Sequence, residues 1–537
     1  LTYFLHPLFF NKGVSLALPM HGANAQSKGQ AAAGFRTPTR RTGAFSAALR
    51  ILHAFLRFTV PLFLLFTFTG LALSLPETDN KMKKKLFFAC ILFFHHFSFA
   101  QTADEAFIRR IADEILTNSQ AYDNLRNLTK SIGARLAGSP QMYKAEAWGY
   151  QLLQRSGSTH TFKQPVMVPH WMRGGKDEAI AVLPGNKKKQ LNVIALGNSI
   201  GTKGAPVSAP VILIKDFDEL EQRKNELRGK IVFYNYAFNP RFVRTFEAYG
   251  DAVKYRSRGP SRAAKYGAVG VIVRSMSHST DNTPHTGGLH YDTLYTKIPA
   301  VAIGLRDADW LAAELEKGAA VSVRLTTNGH FLPDAEGHNI IGELKGSEYP
   351  DQYITIGGHL DSWDNCEGAH DDGAGIVQTI EVLRTLVALG YRPKHTIRFV
   401  LFANEENGVR GGVKYAALAK ENNEKHLFAL ESDAGGFTPR AFSFDCSDAQ
   451  FEKVKTWLPL IAPYGCNEFI RGSEGVDIGP LKETSGTPTC GLLPDSQRYF
   501  DIHHASTDTF ESVNKRELEL GAVNMAALIY LVDQYGL

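Results

Sequence analysis

Histidines and carboxylates stand where short apolar runs end, and such a set can bind metal ions and activate water. Tyr353-Ile354-Thr355-Ile356 leads into Gly357-Gly358-His359-Leu360-Asp361, the run 396–403 into Asn404-Glu405-Glu406, and the run 426–430 into Glu431-Ser432-Asp433. Between the first run and a helical pattern lies Gly368-Ala369-His370-Asp371-Asp372-Gly373, whose glycines permit a tight turn that aims a carboxylate inward. Late in the chain, Ile502-His503-His504-Ala505-Ser506-Thr507-Asp508-Thr509 adds imidazoles. Singly, each has a plainer reading as a core histidine, an N-cap or a solvated loop. Together they offer nitrogen and oxygen donors of the kind that Zn2+ takes in sites with an open position.

Two such ions can be drawn from the set. One takes His359, Asp371 and Asp433; the other takes Asp371, Glu406 and His504, with Asp371 bridging. Nothing local prefers His504 to its neighbour His503. Three ligand carboxylates against two dications leave one positive charge, which a bridging hydroxide neutralises, and zinc lowers the pKa of water from 15.7 toward about 7. Glu405, beside a ligand but not needed as one, can take the proton of that water and pass it to a leaving amine. Asp361 is expected to accept the other N–H of the His359 imidazole. No Cys-x-x-Cys occurs, so a thiolate zinc site is not expected.

These residues need a scaffold that brings strand ends together, and open α/β sheets build their sites at the carboxyl ends of strands. After about Gly337 the rhythm is strand–helix–strand, as in a parallel sheet. It includes a helix from Gly373 to Leu389 with Ile376, Ile380, Leu383 and Val387 on one face, and a closing helix from Ser512 to Tyr535. Residues 101–156 also read as helical. From about Lys163 the texture changes to short β-like runs, among them Ala179–Leu183, Val211–Ile214 and Lys230–Tyr234, and this stretch holds no ligand cluster. It reads as a binding or shielding module.

The chain has 537 residues, 44% of them hydrophobic and 21% charged, which excludes a disordered tail, a collagen-like fibre and a polytopic membrane protein. Residues 1–100 carry 11 basic and 2 acidic side chains, so the remaining 437 hold 48 basic against 52 acidic. An acidic body gives no electrostatic reason to expect nucleic acid as a partner. Met82-Lys83-Lys84-Lys85, an apolar stretch from Leu86 to Phe97 and Ser98-Phe99-Ala100 read as a secretory signal cleaved before Gln101. Residue 1 is Leu, and residues 1–81 are expected to be a mis-assigned upstream extension. The mature chain is then exported, with no stable membrane span. Its four cysteines, Cys366, Cys446, Cys466 and Cys490, permit disulfides after export, but the sequence cannot choose a pairing.

The segments 358–364, 368–373, 404–406 and 431–435 resemble the co-catalytic dizinc exopeptidases, the family of bacterial leucyl aminopeptidase, and most closely its carboxypeptidase Q branch. The likeness extends through Pro169-His170-Trp171, Asn198–Thr202, Gly229–Val232, Pro284–Gly287 and Tyr499-Phe500. It implies an α/β three-layer sandwich with a mostly parallel central sheet and an inserted β-rich protease-associated domain. The division it suggests is an N-terminal helical part of the peptidase domain at 101–162, the insert at 163–326 and the dizinc domain at 327–537, after a signal peptide at 82–100. The resemblance implies two Zn2+ per chain on the five ligands above. It selects His504 because the family ligand lies four residues before the Asp of the pair Asp508-Thr509. It also implies Glu405 as general base, Tyr499 as a stabiliser of the oxyanion, Asp477 with Gly475 and Val476 along the substrate pocket, peptide substrates and a homodimer. A glutaminyl cyclase-like single-zinc acyltransferase and an inactive receptor-like ectodomain are the alternatives on related folds.

Overall fold

The apolar runs pair into two eight-stranded sheets in the computed structural model, which describes residues 103–472 and 475–537. The expected signal peptide and the upstream extension lie outside the described residues. In spatial order the first sheet is His160–Met172, His330–Leu344, His395–Phe402, Tyr349–His359, Lys425–Glu431, Thr489–Pro494, Pro439–Asp445 and Glu468–Arg471. Its four central strands, from His395–Phe402 to Thr489–Pro494, are mutually parallel. The sheet as a whole is mixed, with antiparallel pairs toward both edges.

Strands buried on both faces need apolar side chains at successive positions rather than at alternate ones. His395–Phe402 meets that need: Phe399 and Leu401 pack with the helices Pro140–Arg155, Ala374–Ala388 and Lys515–Tyr535, while Val400 and Phe402 pack toward Arg410–Glu421 and Gly479–Ser485. The one charge in that strand, Arg398, is buried against two carboxylates, Glu343 at 2.9 Å and Glu424 at 2.7 Å. The closing helix is apolar nearly all round and is packed on most of its circumference. No helix of the described residues is long and apolar enough to cross a membrane.

The second sheet runs Lys187–Leu191, Glu178–Leu183, Ser322–Thr326, Val207–Ile214, Ile231–Tyr234, Gly270–Arg274, Ala300–Ile303 and Val193–Ala195, and is also mixed. It begins later than the sequence reading placed it. The strand His160–Met172 pairs along nearly its whole length with His330–Leu344, so residues 163–172 belong to the first sheet. Its half-apolar pattern fits an edge strand of either sheet, and only the long-range register decides between them. All four cysteines of the described region are free thiols.

Candidate metal centre

Parallel pairing brings the expected side chains to one edge. His359 pairs with Phe402 and Gly357 with Glu431, so the turns after these strands emerge side by side. The next strand, Thr489–Pro494, lies parallel beside Lys425–Glu431 and leads on toward Tyr499 and His504. The chain passes from Tyr349–His359 to a neighbour on one side and then to one on the other, which is the reversal point where such sheets open a crevice.

Local contacts fix each turn. The backbone N–H of His359 donates to Asp372 Oδ2 at 3.1 Å. A Cβ on Gly358 would stand 2.3 Å from that oxygen, so only glycine lets the strand end come this close. Asn404 has φ 65°, a left-handed turn that asparagine tolerates, and the chain bends there to present Glu405 and Glu406. Asp508 accepts the N–H of His370 on Oδ1 (2.8 Å) and the N–H of Asp371 on Oδ2 (3.1 Å). His504 also has φ 60°, and its ring stacks on that of His503 with centroids 3.6 Å apart.

Asp371 stands at the centre of the cluster. Its Oδ1 lies 3.2 Å from His359 Nε2, which is also 3.2 Å from Asp433 Oδ1. Its Oδ2 lies 3.2 Å from His504 Nε2, which is also 3.2 Å from Glu406 Oε2. The two ligand groups read from the sequence are therefore assembled around one carboxylate. His503 Nε2 is farther from Asp371, at 3.6 Å, and geometry ranks it behind His504.

The expected role of Asp361 needs correcting. His359 Nδ1 lies 3.1 Å from the backbone carbonyl of Asp361 and 3.7 Å from its carboxylate. The carbonyl is thus the partner that leaves Nε2 free to face a metal. The carboxylate instead accepts the N–H of Glu405 (3.0 Å) and of Glu406 (3.3 Å).

The electrostatics call for a cation. Burial pushes Glu405, Glu406 and Asp433 above the usual carboxylate range, and their acidic neighbours push the same way. Burial would raise Asp371 too, but the facing imidazoles of His359 and His504 outweigh it and hold that carboxyl well below the usual range. Burial would lower His359, yet Asp433, Asp361 and Asp371 carry it well above the ordinary histidine value. Asp371 Oδ2 and Glu406 Oε1 are buried without an aligned hydrogen bond. Crowded buried carboxylates with unused lone pairs, facing the Nε2 atoms of His359 and His504, fit divalent ions with mixed nitrogen and oxygen ligands.

A cavity of about 1000 Å³ opens on this cluster, with Asp371, Glu405, Glu406, Asp433, Tyr499 and His504 in its wall. Helix Thr245–Ser257, from the second sheet's region, supplies part of the cavity wall, and its Arg256 reaches to 3.4 Å from His504 Nδ1. Asp477 is not in that wall. Gly475 and Val476 line it, while the Asp477 carboxyl is fully buried behind them without a hydrogen-bond partner.

Two residues that sequence reasoning missed hold the loops. Arg135 is fully buried and donates to the carbonyls of Leu360 (2.6 Å), Glu367 (2.7 Å) and Gly368 (2.9 Å). Asp508 served in the sequence only as a landmark for His504. The pair Asp508-Thr509 was the available signal for it; nothing near Arg135 announces its contacts more than 200 residues away.

The profile of Peptidase family M28 matches residues 339–529, a span that contains all five ligand candidates. Carboxypeptidase Q of Homo sapiens is 34% identical over 414 residues, which is 77% of this chain and 85% of that protein. The chain belongs to peptidase family M28. This M28 chain is a metallo-exopeptidase of the carboxypeptidase Q type, and peptides are its substrates. Among solved structures, an M28 peptidase precursor from Shewanella amazonensis superposes with a TM-score of 0.77 at 33% identity, covering 80% of this chain and 97% of that one. A zinc aminopeptidase from Bacillus subtilis shares the fold, with a TM-score of 0.56 at 20% identity over 76% of this chain and 94% of that one. The M28 match begins after the second sheet has ended at Thr326, so the ligand candidates and the second sheet occupy separate stretches of the chain.

Proposed function

We propose that this M28 peptidase is an exported, zinc-dependent exopeptidase that hydrolyses dipeptides or short peptides. Two zinc ions would be held by His359, Asp371 and Asp433 and by Asp371, Glu406 and His504. When bound, such ions supply Lewis acidity and lower the pKa of water. The observation that carries the reading is a single buried carboxylate, Asp371, with one oxygen facing His359 and the other facing His504.

The chain's own residues do the rest. Glu405 lines the cavity beside the cluster, and burial raises its proton affinity, so its carboxylate can accept a proton from the attacking water. It then returns that proton to the nitrogen of the leaving amine. Tyr499 lines the same wall, and in this reading its hydroxyl would donate to the oxyanion of the scissile carbonyl. The central sheet acts as the middle layer of a three-layer sandwich. The second sheet's region would act as a protease-associated insert that contributes part of the cavity wall and helps keep bulk water out. Export rests on the signal-like segment 82–100.

Glu405→Gln tests the reading. The variant is expected to hold as much zinc as the parent chain and to turn over dipeptides at least ~10²-fold more slowly, by the usual size of acid–base catalysis. Turnover at the parent rate would remove Glu405 from the reaction. Failure of the zinc-loaded parent chain to cleave any member of a dipeptide panel would overturn the substrate class.

A further inference from the structure

The segment Pro284–Gly287 has no part in the chemistry above, yet two of its residues grip the backbone of a proposed ligand. The segment is anchored on the second sheet. The N–H of His285 donates to Ser275 Oγ at 2.9 Å, and that hydroxyl donates at 2.7 Å to the carbonyl of Ile303, where strand Ala300–Ile303 ends. The Thr286 hydroxyl donates at 2.8 Å to the carbonyl of Ala195, where strand Val193–Ala195 ends. His285 and Thr286 are both buried.

From this anchorage the segment reaches His503 and His504. His285 Nδ1 lies 2.8 Å from the carbonyl of His503, which can only accept, so Nδ1 carries the proton. The N–H of Thr286 donates to the carbonyl of His504 at 3.0 Å, and Asn365 Nδ2 donates to the same oxygen at 3.2 Å. These two carbonyls belong to the peptide planes on either side of the His504 Cα, so holding both holds its backbone dihedrals. His504 has φ 60°, a conformation that a residue other than glycine keeps only where its surroundings impose it.

The ring is held from the same side. The Thr286 carbonyl stands 3.4 Å from His504 Nδ1, while Nε2 of that ring faces Asp371 and Glu406. A ring that gives Nε2 to a metal keeps its proton on Nδ1, so this carbonyl is its partner, rather than the Arg256 guanidinium at the same distance. The two ligand imidazoles differ here. His359 Nδ1 faces the carbonyl of Asp361, two residues along its own turn. His504 draws its carbonyl from 218 residues earlier in the chain.

We propose that His285 and Thr286 are positioning residues for the zinc site of Asp371, Glu406 and His504. One site of the pair is then completed by the second sheet's region, and the site of His359 is not. The inference rests on the two-zinc reading and deepens it.

Competition against a chromophoric chelator on the full chain tests this. His285→Leu, close to histidine in volume, removes the donor. It is expected to hold one zinc ion at the parent affinity and the other at least ~10-fold more weakly, the scale for losing a partner that orients a ligand. His285→Asn, whose Nδ2 can replace Nδ1 as donor, is expected to hold both within about threefold of the parent chain. Thr286→Val removes the bond to Ala195, is expected to weaken the same ion, and carries the test if His285→Leu does not fold. His504→Ala identifies the site: adding His285→Leu to it is expected to leave the affinity for its remaining ion unchanged. Equal weakening of both ions in His285→Leu would overturn the proposal, as would further weakening in the His504→Ala background. A parent chain that binds fewer than two zinc ions overturns the two-zinc reading and this inference with it. Two ions in the parent, both kept at the parent affinity in His285→Leu, overturn this inference alone.

Discussion

The Asp361 carboxylate accepts the backbone N–H of Glu405 at 3.0 Å. A carboxylate from the end of one strand thus fixes the turn at the end of its neighbour, and the proposed base and a proposed ligand move with it. Asp361→Ala is expected to weaken zinc binding by about 10- to 100-fold, the scale for losing a partner that orients metal ligands. Competition against a chromophoric chelator measures this, and affinity equal to that of the parent chain would show the turn to be held by other contacts.

Asp508 has a similar duty toward His370 and Asp371. Asp508→Ala leaves two buried N–H groups without acceptors, at a cost of about 1–3 kcal/mol for each. Urea unfolding of the metal-free chain is expected to show a lowered midpoint with an unchanged slope. An unshifted midpoint would contradict the assignment.

The ligand candidates were legible because an apolar strand is easy to recognise and its end is where a polar residue has no core to join. His359, Glu406 and Asp433 each follow such a run, and the structure brings them together around Asp371. The parts that were not legible depend on distant partners. The His359 imidazole meets the carbonyl of Asp361 rather than its side chain, a choice made by backbone geometry that residue types do not reveal. The strand His160–Met172 joins the first sheet because His330–Leu344 offers a matching edge more than 150 residues later. Asp477 follows two cavity-lining residues, yet its own side chain turns away from the cavity.

The far end of the sheet yields a prediction about acid stability. Burial would raise Glu424, but hydrogen bonds from His426 and Arg398 overcome it and bring the carboxyl down to about 2 from 4.5. A carboxyl whose folded pKa is depressed contributes stability that is present above pH 4.5 and lost as pH falls toward 2. Glu424→Gln is therefore expected to be less stable than the parent chain at neutral pH, with the gap narrowing between pH 4.5 and 2. Parallel unfolding curves across that range would contradict the pairing.

Zinc stoichiometry by elemental mass spectrometry tests the shared carboxylate most directly. The parent chain is expected to hold two zinc ions, and Asp371→Ala to hold neither tightly, because each proposed site loses a ligand at once. A variant that kept one ion at the parent affinity would show that the two sites do not share Asp371.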